Sequence, residues 1–589
     1  MADEPHVLRG INWREAFPFT NIFRAFRIAI HPSKLVLALL ALLVLYFGGR
    51  LLDGFWLREH RAVPGEIELY EHSRNRAEYN DQRQSMRQAT TEAYAQELMK
   101  LNKPEERFKE LKKVDVARAA AEEGKYTNHV EYALRQERDG DIRAALNRYN
   151  AEIKRIDAGK KGTEDERRAI EEAKKAAQRE RDRQIAAIRA EFGRRFDVVR
   201  TVEGKGLFLA FFQYQTQKID SIVRGVLSGN WLGGLDPWMR NIRESIEPEG
   251  VLVSSMKFFT VAPSWALWHH PIYFLIFGAL FLVVWSLFGG AIARIAAVHV
   301  ADEGRKLSVR QGLSFAVSKF LSFISAPMIP LIIVLGIGLV VAVAGILLNV
   351  PWLGPIIIGA LFFLALAAGF VMTLVLIGTA GGFNLMYPTI AVEGSDSFDA
   401  ISRSFSYVYA KPWRMLFYSA VALAYGAITY LFVRLFIYLT LLLTWFFVGL
   451  LVWRTADNGE NLWQALMPHP SFASLPYETN TGALDDMGAS LGSFLVAFWN
   501  YLAISMLGAF AISFYFSVNT IIYYLMRREV DATEMDDVYL EQPDEEFTET
   551  PVAPSVSTAA ASAPTATSAA PVEETPAPTK AYDKPPPET

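Results

Sequence analysis

Six long apolar runs divide this chain, and they restrict its fold more than any other feature. The runs begin near positions 35, 271, 324, 356, 415 and 491. A membrane-spanning helix needs about 20 mostly apolar residues, and only helices or closed barrels satisfy their backbone polar groups inside a bilayer. Apolar runs of this length favour helices. The sequence therefore predicts an all-α fold, a six-span helical membrane bundle.

The first apolar run, residues 35–52, is predicted to be an uncleaved transmembrane helix. Arg50 near its end can extend into the headgroup layer. A cleaved signal peptide is the alternative, but the segment before the run is long and no A-x-A cleavage site follows it. A helix that stays in the protein fits the sequence better.

The fifth run, residues 415–453, is long enough for one extended helix or for two spans. It contains no proline, and Gly426 and Gly449 are its only glycines. Because a hairpin turn at its centre would need turn-forming residues, one long helix is favoured. The third and fourth runs differ, since the short uncharged segment 349–355 joins them with two prolines and a glycine.

The charges between the runs predict on which side of the membrane each segment lies. Cytoplasmic segments of membrane proteins carry an excess of Lys and Arg. Six spans with a cytoplasmic N-terminus give the cytoplasm these basic residues: Arg9, Arg14, Arg24, Arg27, Lys34, Arg294, Arg305, Lys306, Arg310, Lys319, Arg403, Lys411, Arg414, Arg527 and Arg528. Residues 53–268 are then extracytoplasmic. The sequence predicts a protein of the bacterial plasma (inner) membrane with both termini in the cytoplasm.

Residues 53–205 form a separate, highly charged region. Positions 101–200 hold 26 Lys or Arg and 21 Asp or Glu. The abundance of Ala, Glu, Lys, Arg and Gln predicts helices, interrupted at Gly124, Gly140 and residues 159–162. Acids and bases are interleaved almost one for one, so a solvated, salt-bridged surface explains the charge better than an anionic partner. A narrow apolar stripe favours a helical hairpin or coiled coil: Ile170, Ala173, Ala177, Ile185 and Ile188.

Amphipathic segments flank this region and the first span. Residues 1–34 contain a basic amphipathic helix, which Pro32 separates from the first span. Such a helix lies in the headgroup layer and is attracted by anionic lipid. Residues 206–268 have a strongly apolar face but are too polar at 213–220 to cross a bilayer. They are predicted to lie on the outer leaflet or against the bundle.

The last segment, residues 529–589, has the composition of a disordered tail. It holds 14 acidic residues against Lys580 and Lys584, and it is dense in Pro, Ala, Ser and Thr. Such a segment cannot bury a core. The predicted topology places it in the cytoplasm, where a protein partner can bind it.

The membrane domain, residues 269–528, contains an internal repeat. The pattern E-G-x9-S-F begins at Glu303-Gly304 and again at Glu393-Gly394. Both copies lie between an incoming and an outgoing span. Each therefore predicts a cytoplasmic linker at which a surface helix begins. The first linker helix is predicted to begin with a cap formed by Ser308 and Gln311 and to end near Pro327. The second is predicted to begin with a cap formed by Asp396 and Asp399 and to end near Pro412.

Each linker glutamate is predicted to form an ion pair near its own helix. The partial positive charge of a helix N-terminus favours a carboxylate there, and Glu393 is expected to pair with Arg403 or Lys411. Gly304 and Gly394 allow the left-handed backbone that turns a chain out of a span. Ordinary turn composition is the alternative explanation of both Glu-Gly pairs.

The second copy resembles a known family. It is similar to the E-G…A-x-x-R-S…W segment in the membrane domain of glycerophosphoryl diester phosphodiesterases and related uncharacterised bacterial multi-pass proteins, through Pro388, Glu393, Gly394, Ala400, Arg403, Ser404, Pro412 and Trp413. The resemblance covers roughly residues 270–530. The catalytic activity of that family belongs to a soluble barrel domain that has no counterpart in this sequence. The resemblance implies a helical membrane module without that activity.

No motif in the sequence points to catalysis. P-loop and H-E-x-x-H motifs do not occur, and neither G-x-S-x-G nor G-x-G-x-x-G occurs between a predicted strand and a helix. The chain has no cysteine, which excludes thiolate metal sites and cysteine nucleophiles. His269 and His270 are adjacent, and adjacent residues point to different sides of a helix. We therefore predict no enzyme, no metal or cofactor and, with a net charge of −4, no nucleic-acid partner.

Three polar residues interrupt the last apolar runs: Arg434, Asn500 and Asn519. Arg434 follows position 415 by 19 residues, or about 28 Å along a helix. It is therefore expected among the outer headgroups, with a functional intramembrane charge as the alternative. The two asparagines can line a path or form interhelical hydrogen bonds.

These features together predict a non-catalytic membrane scaffold or interaction protein of a bacterial envelope. It would contact the lipid bilayer, and protein partners would bind its charged helical region and acidic tail. The alternative is a transporter or channel subunit that uses residues 269–528. A water-accessible cavity lined by Arg434 or Asn500 would favour transport, whereas an interior of apolar and small residues would favour the scaffold.

Overall fold

The computed structural model describes residues 17–57, 60–100, 127–158, 164–233, 249–302, 307–454, 461–475 and 487–539. Every regular element in that part of the chain is a helix, and one antiparallel backbone bridge joins Ala62 to Lys205. Among the described residues, six helices are long and apolar enough to cross a membrane: Pro32–Phe55, Pro271–Ala301, Phe320–Asn349, Leu353–Glu393, Pro412–Gly449 and Leu491–Asp531. The predicted all-α fold with six spanning helices is confirmed.

The helices are numbered here in chain order, after a short 3₁₀ helix at Pro18–Arg24. Those before the second span are α1 (Ala25–Ala29), α2 (Pro32–Phe55), α3 (Glu66–His72), α4 (Arg76–Lys100), α5 (Thr127–Asp157), α6 (Glu164–Thr201), α7 (Leu207–Ser228) and α8 (Val251–His269). The others are α9 (Pro271–Val284), α10 (Gly290–Ala301), α11 (Val309–Ser318), α12 (Phe320–Gly345), α13 (Leu353–Glu393), α14 (Ser397–Ala410), α15 (Pro412–Gly449), α16 (Leu462–Leu466) and α17 (Met487–Asp531). A π-helical turn, Trp285–Gly289, joins α9 to α10.

Small residues let the spanning helices pack closely at one end of the bundle. We call this the amino-terminal end, because α1 packs there beside α10 and α17. The side chains of α10 are almost all buried. A Cβ atom at Gly289 would lie 2.6 Å from the Phe516 ring, and one at Gly290 would lie 2.8 Å from Phe323. Helices approach this closely only where a side chain is missing.

The amino-terminal segment is a separate element, as the sequence predicts. Pro32 is the first residue of α2, and α1 ends before it. Ile22 and Ile28 are buried in the main core, whereas Phe23 is about half exposed. The segment therefore packs one face against the bundle and leaves the other outside.

The fifth span is a single helix, α15, so the favoured reading of residues 415–453 is confirmed. The hairpin of α12 and α13 is the least covered part of the bundle, since the most apolar stretch of each helix has no buried residue. Trp352 at its tip is almost fully exposed and has a positive φ of 67°. In a bilayer this hairpin presents its apolar surface to lipid.

The linker helix α11 does not end at Pro327, and that prediction is wrong. It ends at Ser318, and Pro327 lies inside α12 together with Pro330. Lys319 leaves the helical conformation, with φ −104° and ψ 17°, and turns the chain into the span. Prolines within a spanning helix are tolerated because neighbouring groups satisfy the freed backbone carbonyls.

The charged region forms a small three-helix unit from α4, α5 and α6. Its shared core contains Tyr94, Ala95, Leu98, Val130, Ala133, Leu134, Phe192 and Val199. Gly140 lies inside α5, so the predicted interruption at this glycine is wrong. A single glycine costs a helix only about 1 kcal/mol, which the packing of α5 against α6 offsets. Gly124 and residues 159–162 lie outside the described residues.

The chain enters and leaves this unit through one neck. Ala62 and Lys205 exchange two backbone hydrogen bonds of 3.0 and 2.8 Å. Beyond the neck, Asp53 of α2 accepts the backbone N–H groups of Phe208 and Leu209 at 3.0 and 3.2 Å. This carboxylate satisfies the first free donors of α7 and fixes α7 to the first span. The predicted segment 206–268 thus contains two helices, α7 and α8, packed together at the opposite end of the bundle.

Candidate functional site

The two linker helices begin with the caps that the sequence predicts. Gln311 donates its backbone N–H to the Ser308 hydroxyl at 3.3 Å, and its side-chain oxygen accepts the Ser308 N–H at 3.0 Å, which completes a capping box. Asp396 accepts the backbone N–H of Asp399 at 2.9 Å. Both caps are confirmed. Glu303 and Gly304 lie outside the described residues, so the ion pair predicted for Glu303 stays a prediction.

Glu393 is the centre of an ionic network at the amino-terminal end, which we call the linker cluster. Its side chain lies 2.9 Å from the Arg403 Nε and 3.4 Å from the Arg527 Nε, and it accepts a hydrogen bond from the Tyr523 hydroxyl. The predicted pair of Glu393 with Arg403 is confirmed. Lys411, the other predicted partner, instead donates to the backbone and side chain of Glu529 at 2.6 and 3.2 Å.

Arg403 connects Glu393 to two further carboxylates of the linker cluster. Its Nε lies 3.2 Å from Asp399 and its Nη1 lies 3.9 Å from Asp531. Partial burial lowers the pKa of Arg403, but the Glu393 and Asp399 carboxylates outweigh that effect and raise it. The guanidinium is therefore charged at any physiological pH, and it ties α13 and α14 to the end of α17.

Gly394 ends α13 in the left-handed conformation, with φ 65°. Residues 532–539 fold back over this turn, and we call them the strap. The backbone N–H of Tyr539 donates to Val392 at 2.8 Å, and Arg294 donates to the carbonyls of Ala391 and Tyr539 at 2.7 and 2.6 Å. A Cβ at Gly394 would lie 2.6 Å from the Tyr539 ring. The glycine is therefore needed both for its backbone angle and for the strap.

Arg434 is buried in protein, with 2% of its surface exposed. Its Nη2 lies 2.9 Å from the Asp220 carboxylate, and it donates to the carbonyls of Phe472 and Ala473 at 2.9 and 3.1 Å. Ser474 donates to the second Asp220 oxygen at 3.0 Å. The structure pairs Arg434 with α7, a partner that the sequence does not reveal because Asp220 stands 214 positions away. The expected level of Arg434 among the outer headgroups stays a prediction.

Asn519 of the last span bonds within its own helix and not to this pair. Asn519 donates to the Tyr515 carbonyl of its own helix at 2.9 Å and is 6% exposed. Asn500 is likewise buried on α17. The structure therefore does not gather Arg434 and Asn519 into one site.

Glu66 is the centre of a second buried group, which the sequence does not single out. Its carboxylate accepts hydrogen bonds from the Tyr79 hydroxyl at 2.6 Å and the Val63 N–H at 2.7 Å. Arg83 and His270 lie 3.1 and 3.3 Å away. Burial alone raises the pKa of Glu66, but hydrogen bonds and the Arg83 charge outweigh it and hold the pKa at about 2. Glu66 is thus ionised and locks α3 to α4 and α8.

A third ionic group lies beside it, between α3, α7 and α8. Lys257 bridges Glu71 and Glu249 at 2.5 and 2.6 Å, and Lys218 lies 3.4 and 3.0 Å from the same two carboxylates. The lysines outweigh the effect of burial and lower the pKa of both glutamates. Two acids and two bases balance each other here. Only the fold brings them together, so no local pattern could have revealed them.

Each of these groups ties helices together. Each central carboxylate is ionised or ion-paired, and each has several donors that hold it in place. The adjacent histidines turn to different partners: His270 lies against Glu66, and the ring of His269 packs 4.1 Å from that of Tyr79. Among the described residues no group of three or more potential ligands could hold a metal ion.

Comparison with known proteins finds no matching family model, no matching curated protein and no matching solved structure. The resemblance to the membrane domain of glycerophosphoryl diester phosphodiesterases therefore stays a prediction from the sequence.

Proposed function

We propose that the protein is a non-catalytic membrane scaffold or interaction protein of a bacterial envelope. Its six spans would hold the unit of α4, α5 and α6 on the extracytoplasmic side and the acidic tail in the cytoplasm of a plasma-membrane protein. Each of these two parts would bind a protein partner. The observation that carries the proposal is how the polar residues of the described structure are used: they fasten the charged unit to the bundle.

Three ties support this view of the charged unit. The backbone bridge at Ala62 and Lys205 closes its base, the Glu66 group joins α3 and α4 to α8, and the pair of Asp220 with Arg434 joins α7 to the fifth span. The Glu66 group holds α4 of the unit directly, and the other two ties hold the segments at its base, so the unit keeps its orientation relative to the membrane. That property suits a surface that presents binding residues to a partner.

The alternative, a transporter or channel subunit, would need Arg434 or Asn500 to line a water-accessible cavity. Arg434 is 2% exposed and neutralised by Asp220. The core of the amino-terminal end consists largely of Ala, Ile, Val and aromatic side chains. Both observations favour the scaffold.

A capture experiment in mild detergent tests the proposal. The full chain, a variant without residues 540–589, and the triple variant Arg168→Glu, Lys175→Glu and Arg179→Glu would each be purified from native membranes. These three residues are exposed and lie on one face of α6. We expect at least one protein to be captured by the full chain and lost from one variant. The matched control is Arg168→Lys with Arg179→Lys, which keeps the charge. The same proteins with every variant would contradict a scaffold.

The predicted topology has a separate test, because the chain has no cysteine. Single variants Glu180→Cys, Ser471→Cys and Ala560→Cys would be treated with an impermeant thiol reagent in intact cells. Positions 180 and 471 are exposed in the structure. We expect labelling at these two positions and none at position 560. Labelling at 560 would mean that the tail is outside and that the span count is odd.

A further inference from the structure

A cavity of about 500 Å³ lies where the turn between α3 and α4 meets the end of α8. The turn supplies Arg74 and Arg76, and α8 supplies Ser264, Trp268 and His269. Pro271, two positions after His269, begins the second spanning helix. The cavity therefore lies next to the point at which the chain enters the apolar part of the bundle.

The guanidinium groups of the two arginines in the cavity are available to bind an anionic ligand. Both are exposed, and neither guanidinium has an ion-pair or hydrogen-bond partner among the residues that the structure describes. Glu71, the carboxylate that lines the cavity, already lies 2.5 Å from Lys257. Glu78 accepts the backbone N–H of Arg74 at 3.0 Å. The cavity thus has two guanidinium groups without an ion-pair partner among the described residues.

The surrounding structure adds to this positive potential. The cavity faces the first turn of α4, where Asn75 accepts the backbone N–H of Glu78 at 2.9 Å, and a helix N-terminus favours anions. Burial lowers the pKa of His269, and the charges of His270 and Arg76 lower it further, so the imidazole at the cavity wall is neutral.

An exposed apolar stripe runs along α8 up to the cavity. It consists of side chains that are all at least 45% exposed: Leu252, Met256, Phe259, Leu267 and Trp268. The first four are spaced by four, three and eight residues, which keeps them on one face of the helix. Trp268 follows Leu267 directly, lies about 100° further round the helix and lines the cavity. The opposite face of α8 buries Trp265 in the core. A cationic cavity that continues into an apolar stripe matches the two parts of a lipid molecule.

We propose that this cavity binds the phosphate of an anionic phospholipid, with Arg74 and Arg76 as the phosphate ligands. The acyl chains would lie along the stripe on α8. Arginine suits this role because its planar guanidinium can donate two parallel hydrogen bonds to phosphate oxygens. The tryptophan at the rim fits the headgroup level of a bilayer. The site would orient α8, and with it α3 and α4, on the membrane surface.

Binding of a fluorescent phosphatidylglycerol to the full chain in neutral detergent micelles tests the proposal. We expect unlabelled phosphatidylglycerol to compete and phosphatidylcholine to compete at least about tenfold less well, since the net headgroup charge distinguishes them. The double variant Arg74→Gln with Arg76→Gln should bind the probe at least about tenfold more weakly. Inorganic phosphate distinguishes the source: if it competes as well as the lipid, the site takes free phosphate and the lipid proposal is wrong.

The matched control is Arg148→Gln with Arg179→Gln, which makes the same change in net charge at exposed positions outside the cavity. This control should bind the lipid like the unchanged protein. Equal losses in both double variants would show an unspecific charge effect and overturn the proposal, as would unchanged binding in the Arg74 and Arg76 variant. All four substituted residues are exposed, so size-exclusion profiles of the variants should match that of the unchanged protein.

Discussion

The two ends of the bundle hold their charges in different ways. At the amino-terminal end, Glu393 of the linker cluster has three described partners, Arg403, Arg527 and Tyr523, and Arg403 is 40% exposed. At the opposite end, Arg434 and Asp220 are 2% and 10% exposed and form one buried pair. Exposed networks lose little when one member is removed, whereas a buried pair leaves an uncompensated charge. The difference predicts unequal responses to mutation.

The largest effect is expected for Arg434→Leu. Asp220 would keep only Ser474 as a described side-chain donor, and breaking a buried ion pair from one side costs about 3–5 kcal/mol. Unfolding in detergent, followed by tryptophan fluorescence, measures the loss. The double variant Arg434→Leu with Asp220→Leu removes both charges and should recover most of it. A double variant no more stable than the single one would show that the charge pair is not the cause.

The second-largest effect is expected on acidification, which should protonate Glu66 and weaken its contacts. The pKa of Glu66 is lowered from 4.5 to about 2 in the folded protein, so its contribution is complete above pH 4.5 and is lost as the pH falls towards 2. A shift of this size corresponds to about 3 kcal/mol. The melting temperature of the unchanged protein should fall as the pH is lowered through this range, and it should fall less steeply in the variant Glu66→Gln. Glu71 and Glu249 shift in the same direction, so some slope should remain. An unchanged slope would contradict the assignment to Glu66.

Gly394→Val probes the strap at the amino-terminal end. A valine at φ 65° is strained by roughly 1–2 kcal/mol, and its Cβ would displace the Tyr539 ring. We expect a loss of about 2 kcal/mol, measured by thermal unfolding in detergent. Gly359→Val serves as the control, because a Cβ there meets nothing within 4 Å. Equal effects at the two glycines would remove the structural reason for the repeated Glu-Gly.

Lys34→Met should raise stability at the same end. Lys34 is fully buried near the start of α2, and its Nζ has no hydrogen-bond partner among the described residues. Replacing an unsatisfied buried polar group with an apolar one of similar shape is expected to stabilise by about 1–2 kcal/mol. A melting temperature lower than that of the unchanged protein would show that the ammonium has a partner or a role.

The smallest effect is expected for Arg403→Gln. Glu393 would keep Arg527 and Tyr523, and the removed arginine is 40% exposed. The loss should be below about 1 kcal/mol, well under that of Arg434→Leu in the same assay. Equal losses for the two arginines would mean that the two ends do not differ in the way their burial indicates.

The sequence by itself determined the features that depend on neighbouring residues. Apolar length defines the six spans and the single helix of α15, because each depends on an unbroken local run. The caps at Ser308 and Asp396 reach only three residues. The pair of Glu393 with Arg403 spans ten, still within one turn and one short helix.

Tertiary structure alone decided which distant polar groups meet. Arg434 finds Asp220 across 214 positions, and Glu66 finds Trp265 across 199. The sequence could not reveal the partner of Arg434 for this reason: the length of a helix predicts how deep a residue lies in the membrane but not which residue lies beside it. The energy of a buried charge depends on what packs around it, and packing is a property of the whole chain.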